Sequence, residues 1–162
     1  MKIPPKDYVN AIEVPQSLEL CVIGRVHSPY KERHGTPRQS ALKAAPENYE
    51  PVLATIELFT DVVPSIALRD LDGFDRIWII SWLHLNHHWN PTVRPPRGPK
   101  VRRGTLATRA PHRPNPIGLS CAKLVSVVNS IITVEGIDLL DQTPIIDLKP
   151  YVPYCDAGNI GL

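Results

Sequence analysis

Apolar residues come in short runs along this chain, separated by polar stretches rich in proline, and most runs carry β-branched or aromatic residues. Residues 18–26 (LELCVIGRV) predict a first strand, with Gly24 as a candidate bulge. Residues 52–59 (VLATIELF) predict a second strand. Residues 65–71 can form about two helical turns, ended by Asp72 and Gly73. The most hydrophobic run, 76–85 (RIWIISWLHL), predicts a strand buried on both faces. A short strand is expected at 105–108. Residues 119–128 and 131–135 read as two strands joined by an Asn129-Ser130 hairpin turn. Further strands are expected at 137–140 and 145–148, then an irregular tail over 150–162. Loops fill 31–50 and 86–100. About seven or eight short strands, hardly any helix and proline-rich connections predict an all-β barrel or sandwich. The organisation expected is a single domain over residues 18–156, with an N-terminal arm at 1–17 and a C-terminal tail at 157–162.

Length and composition are those of one globular domain: 162 residues, 43% hydrophobic. The net charge of +2 excludes a histone-like polycation. The cations are nevertheless clustered. Arg94, Arg97, Lys100, Arg102, Arg103, Arg109 and Arg113 follow one another with no acid between them, which suits a phosphate-bearing partner. A basic loop balanced by acids elsewhere in the fold has the same appearance. No apolar stretch approaches the roughly 20 residues needed to cross a membrane. The N-terminus lacks the apolar core of a secretion signal, and Cys21, Cys121 and Cys155 show no CxxC spacing. A cytoplasmic protein with reduced thiols is expected, with Cys21 and Cys121 as small core residues. No GxGxxG follows a strand, so a Rossmann-type nucleotide site is not expected.

Four stretches carry candidate chemistry. In residues 104–120 (GTLATRAPHRPNPIGLS), prolines stiffen an irregular loop that presents Arg109, His112 and Arg113, and an arginine fork matches carboxylate or phosphate geometry. His84, His87 and His88 could be a metal set or, for His84, a strand-end side chain facing a ligand. Asp138 and Asp141 flank Leu139 and Leu140; they could face ribose hydroxyls or a cation, or act as ordinary turn formers. Asp147 and Lys149 would share one strand face, as an acid–base pair or a surface ion pair.

Ser28-Pro29-Tyr30, Pro37-Arg38-Gln39, Arg94-Pro95-Pro96, Ala107-Thr108-Arg109, the block RPNPIG at 113–118 and Asp147-Leu148-Lys149-Pro150-Tyr151 occur in that order. This set resembles the TrmO (YaeB-like, TsaA-like) family of tRNA methyltransferases over roughly residues 19–156, and RPNPIG is its most specific part. The resemblance implies a small single-domain β-barrel, usually a homodimer, that binds S-adenosylmethionine without a Rossmann fold. It implies methylation of N6 of N6-threonylcarbamoyladenosine beside the tRNA anticodon. Carried over by motif, cofactor contacts fall on Pro37, Arg38, Gln39, His84, Leu85, Arg109, Leu119 and the turn Asp138, Leu139, Leu140, Asp141. Leu85 and Ala110 depart from the family's usual polar residues, and the chain is expected to stop after the barrel, where longer members continue.

Methyl transfer from a sulfonium to a nitrogen needs alignment and exclusion of water more than covalent catalysis. Asp138, Asp141, Lys149 and His84 are the candidate bases for the acceptor proton. Arg33, Arg97, Arg102, Arg103 and Arg113 are the candidate phosphate contacts for a tRNA anticodon loop. Neither a metal nor a membrane is expected as a partner. The competing readings are a non-catalytic RNA-binding barrel, a metal hydrolase built on the three histidines, and a methyltransferase with another acceptor.

Overall fold

The computed structural model describes residues 15–37, 52–96 and 98–158. Within them the chain forms β1 (Gly24–His27), β2 (Leu53–Leu58), β3 (Arg76–Trp82), β4 (Thr92–Val93), β5 (Arg103–Gly104), β6 (Ile117–Val128), β7 (Ile131–Glu135), β8 (Pro144–Pro150) and a single helical turn, α1 (Pro153–Asp156). Six strands close into an antiparallel barrel in the order β1-β2-β7-β6-β3-β8, while β4 and β5 pair separately as a small hairpin. The expected all-β barrel with long proline-rich loops is therefore the fold.

Closure depends on two bulges. The β6 strand pairs β3 with its first half (Trp82 opposite Ile117, Arg76 opposite Lys123) and β7 with its second. A register shift between Leu124 and Ser126 lets it turn the corner. A second shift, between Ile80 and Ser81, lets β8 leave β3 and reach β1. Such extra residues bend a strand and raise its twist, as a small closed barrel requires. Alternate side chains point inward. Val26, Ile56, Ile77, Ile79, Ile132, Val134 and Ile145 form a fully buried core, with Ala54 and Ala122 where space is short. Asn129 takes φ 55° at the β6–β7 hairpin, the left-handed conformation that asparagine tolerates.

Several expected elements differ. The run 18–26 is a strand only from Gly24, because Phe59 ends its partner by accepting hydrogen bonds from Val62 and Val63. Leu18, Leu20 and Cys21 are exposed, so Cys21 is not a core residue, whereas Cys121 is buried. Gly24 is not a bulge; it pairs in register with Leu58. Residues 65–71 do not form an α-helix. Two 3-10 turns, Ser65–Leu68 and Leu71–Gly73, are separated by Asp70 at φ 66°. The hydrophobic run at β3 is buried on one face only, since a barrel has one interior, and Trp82 is 45% exposed. The expected strand at 105–108 is instead a 3-10 turn, Thr105–Ala107, with Thr108 extended after it. Residues 137–140 leave the sheet after Gly136 at φ 82°; the Leu139 carbonyl accepts from Ser28 Oγ and the Leu140 carbonyl from Thr143. The tail contains α1, with Pro153 at its first position. Almost all of the expected arm at 1–17 and most of the tail at 157–162 lie outside the described residues. No helix among the described residues is long and apolar enough to cross a membrane.

Candidate active site

The Ser28-Pro29-Tyr30, RPNPIG and Asp138–Asp141 segments meet at one end of the barrel, while Asp147–Tyr151 runs along β8 to the other end, where Tyr151 N–H donates to the Arg76 carbonyl. At the first end β1 and β3 finish and β6 and β8 begin, with Ser81 opposite both Gly118 and Ile145, and Gly24 opposite Ile145. Three connections leave this end: the one from β1 to β2, which starts with Ser28-Pro29-Tyr30, the long excursion from β3 to β6, which contains RPNPIG, and the crossing from β7 to β8, which contains Asp138 and Asp141.

The β7–β8 crossing seals the core. Ile137 and Leu139 are buried, so the intervening Asp138 is turned toward the strand ends. Ser120 Oγ donates to Asp138 Oδ1 at 2.5 Å. Ser120 belongs to the inward-facing set of β6 and is 3% exposed, so this is an acid with a buried hydroxyl partner at the barrel mouth. Asp141 is spent differently. Its Oδ1 accepts from the Ser28 backbone N–H (3.0 Å) and its Oδ2 pairs with Lys31 Nζ (2.5 Å). Ser28 Oγ donates to the Leu139 carbonyl (2.9 Å), and Asp141 N–H to the Tyr30 carbonyl (2.8 Å). The Ser28-Pro29-Tyr30 motif is thus the clamp on the Asp138–Asp141 turn. The Lys31 ammonium and the Ser28 N–H hold Asp141 below the ordinary carboxylate value.

The RPNPIG loop is stapled to the end of β3 by Leu83 N–H donating to the Pro116 carbonyl at 2.7 Å. Gly118 lies against Ser81 Oγ, which is buried and without a hydrogen-bond partner among the described residues. His84 follows two residues after Trp82 and packs its ring on that indole, 5.9 Å between centroids. Leu85 and Leu119 are exposed. Arg109 is exposed and forms no hydrogen bond or ion pair among the described residues. Arg113 is different. Its Nη1 donates to the carbonyls of Thr108 (2.7 Å), Thr105 (3.4 Å) and Ala110 (3.4 Å), so the guanidinium faces its own loop.

Not every expected site residue is brought together. Lys149 pairs with Asp147 at 2.9 Å on the outer wall, both well exposed, and lies on the opposite side of the sheet from the inward-facing Ser120. Pro37 is exposed, while Arg38, Gln39 and Arg97 lie outside the described residues. Arg102 lies along the β4–β5 hairpin, donating through Nε and Nη2 to Thr92 Oγ1 (2.9 Å) and O (3.0 Å). Arg33 and Arg103 are exposed. No group of three or more His, Cys, Asp or Glu among the described residues is arranged to hold a metal ion, and His112 Nδ1 is engaged with the His88 carbonyl (3.1 Å), which gives the hydrolase reading no support. Sequence reading named Ser28 only as part of a family motif and did not single out Lys31, Ser81 or Ser120. The last two had a signal: each is the small polar residue in an inward-facing series, Ile77-Ile79-Ser81 and Gly118-Ser120-Ala122.

Fold and site define a class: a closed antiparallel barrel with polar and cationic residues on the loops at one mouth and, among the described residues, no parallel nucleotide-binding crossover. The profile of the tRNA-methyltransferase O N-terminal domain matches residues 25–157, and the chain belongs to this family. It is 38% identical over 142 residues to the tRNA (adenine(37)-N6)-methyltransferase of Escherichia coli, covering 83% of this chain and 58% of that protein. A protein of Methanothermobacter thermautotrophicus named for S-adenosyl-L-methionine binding is 37% identical, with 86% of this chain and 92% of that one covered. The crystal structure of TrmO from Pseudomonas aeruginosa superposes with a TM-score of 0.72 at 33% identity, over 90% of this chain and 61% of that one. The chain thus spans little more than half the length of the E. coli protein it matches.

Proposed function

We propose that this chain is an S-adenosylmethionine-dependent tRNA methyltransferase that methylates N6 of N6-threonylcarbamoyladenosine beside the anticodon. It works as a cytoplasmic homodimer. The observation that carries the reading is the meeting of the RPNPIG loop with the Ser120–Asp138 pair at one barrel mouth, in a chain of this family.

The residues suit the cofactor. A carboxylate and an exposed Arg109, unpaired among the described residues, offer groups for an ammonium and a carboxylate respectively. Contacts are assigned to His84, Leu85, Arg109, Leu119 and Asp138 through Asp141, and, by motif alone, to Pro37, Arg38 and Gln39. When bound, S-adenosylmethionine supplies an electrophilic methyl group on a sulfonium. Asp138 is assigned the proton that N6 loses. It is preferred to Lys149, which lies on the outer wall. Arg102 and Arg103, with Arg97, are assigned to tRNA phosphates. The dimer reading is supported by Trp82, Ile117 and Leu119, exposed apolar side chains on the neighbouring strands β3 and β6.

Calorimetric titration with S-adenosylmethionine tests the cofactor site. Arg109→Ala should weaken micromolar binding by about 1.5–3 kcal/mol, the usual loss for a charged hydrogen bond. Mass spectrometry of nucleosides from treated tRNA then identifies the acceptor. Folded protein that does not bind the cofactor would favour a non-catalytic RNA-binding barrel, for which the exposed Trp82 and Trp89 are ready stacking surfaces.

A further inference from the structure

The stretch 76–134 contains no aspartate or glutamate, although it spans more than a third of the 162 residues. Within it the β4–β5 hairpin projects Arg94, Lys100 and Arg103, all exposed. The ion pairs of the described residues lie elsewhere: Arg25 and His27 with Glu57, Lys31 with Asp141, Lys123 with Glu135 and Lys149 with Asp147. The hairpin's charge is therefore not neutralised within the described residues.

A ladder of two residue pairs, Thr92 with Gly104 and Val93 with Arg103, is too short to fix its own direction. Its root is tied instead. Thr105 is 1% exposed; its N–H donates to the Pro91 carbonyl (2.9 Å) and its hydroxyl to the Asn90 carbonyl. The Thr105 carbonyl in turn accepts from Thr108 N–H (3.1 Å), Thr108 Oγ1 (2.8 Å) and Arg113 Nη1 (3.4 Å). Arg113 also reaches the carbonyls of Thr108 and Ala110. The first residue of RPNPIG thus gathers the carbonyls on the β6 side of the hairpin's root.

We infer that the β4–β5 hairpin is a docking surface for RNA phosphates, and that Arg113 is a positioning residue that locks its root rather than a phosphate contact. The inference deepens the tRNA reading and rests on it. The lock gives the motif's arginine a task separate from Arg109: it sets the angle at which the cationic hairpin stands beside the barrel mouth, so that backbone contacts and the reacting adenine are in register.

Two measurements separate the claims. The first is limited trypsin digestion without RNA, with cuts mapped by mass spectrometry. Arg113→Ala should expose Lys100–Val101 and Arg102–Arg103 to cleavage several-fold faster, with the barrel fragment intact. Unchanged cleavage in folded Arg113→Ala overturns the lock whatever happens with RNA. The second is binding of a tRNA transcript across a salt series. Arg103→Ala should lower the slope of log K against log salt by about 0.7–0.9, the signature of one lost phosphate contact. Arg113→Ala should weaken binding at every salt concentration while keeping the wild-type slope. Should Arg113→Ala not fold, Arg113→Gln keeps amide donors for the carbonyls without the charge, and is expected to retain the slope. A slope lowered in the Gln variant, as in Arg103→Ala, makes Arg113 a phosphate contact and overturns the positioning role. If the wild type binds tRNA with a slope that neither Arg103→Ala nor Lys100→Ala alters, the hairpin is not the docking surface. Wild type that binds no tRNA overturns the docking claim together with the tRNA reading, and the digestion alone then decides the lock.

Discussion

Ser81 and Gly118 face each other across the β3–β6 ladder, and the serine hydroxyl occupies the space a side chain at 118 would need. Gly118→Ala is expected to lose about 1–3 kcal/mol by overpacking. Ser81→Ala alone should be neutral or stabilising, because it removes a buried hydroxyl with no partner among the described residues. The double variant should recover much of the Gly118→Ala loss, and a urea-unfolding double-mutant cycle measures that coupling; additive losses would show that the two residues do not share the space. Asp141 gives a second test. Its folded pKa lies below the ordinary 3.8, mainly through Lys31, so the ion pair stabilises the fold above the unfolded-state value and its contribution fades as the pH falls through the folded value. Wild type should therefore exceed Asp141→Asn in stability at neutral pH, with the gap closing under acid. A gap that is constant from neutral pH to below 3.8 would remove the carboxylate from the account.

Among the elements, β3 shows how a barrel divides an apolar run. Ile77, Ile79 and Ser81 point in, while Trp78, Ile80 and Trp82 face out. Ile79→Ala should cost about 2–5 kcal/mol in urea unfolding, as a cavity in a closed core does, and Ile80→Ala clearly less. Equal losses would restore the strand buried on both faces. The barrel itself was legible because β-branched runs separated by turn residues leave few other folds open. The crossing at 137–140 was not legible: Ile137 and Leu139 alternate with polar or half-buried neighbours just as strand residues do. Only Gly136 at positive φ and the clamp from Ser28 turn that alternation into a cap on the core. The site was legible in its motifs and not in its division of labour. Arg109 and Arg113 look alike in sequence, yet one guanidinium is free of partners among the described residues and the other is surrounded by carbonyls. Asp138 and Asp141 likewise differ only through what folding brings to them, a buried serine in one case and a lysine with a backbone N–H in the other.

For the molecule as a whole, the open question is what covers the outer wall beside the site. Trp82, Ile117 and Leu119 are 45%, 41% and 54% exposed, and the Cα partners Trp82–Ile117 and Ile80–Leu119 put them on one continuous patch. A specific dimer buries about 800 Å² on each partner, so these side chains would form the apolar centre of a larger contact that takes in the loops leaving β3 and entering β6. Such a contact lies next to His84 and the RPNPIG loop, which would link assembly to the site. Folding coupled to association makes the melting temperature rise with protein concentration. Wild type should show that rise and the mass of two chains by light scattering at micromolar concentration. Leu119→Glu places a charge in the centre of the patch; it should give one chain and a melting temperature independent of concentration. Its circular dichroism should remain that of the barrel, because Leu119 lies outside the core. A wild-type monomer would refute the dimer outright. A dimer untouched by Leu119→Glu would move the contact to another face and leave the patch available for RNA.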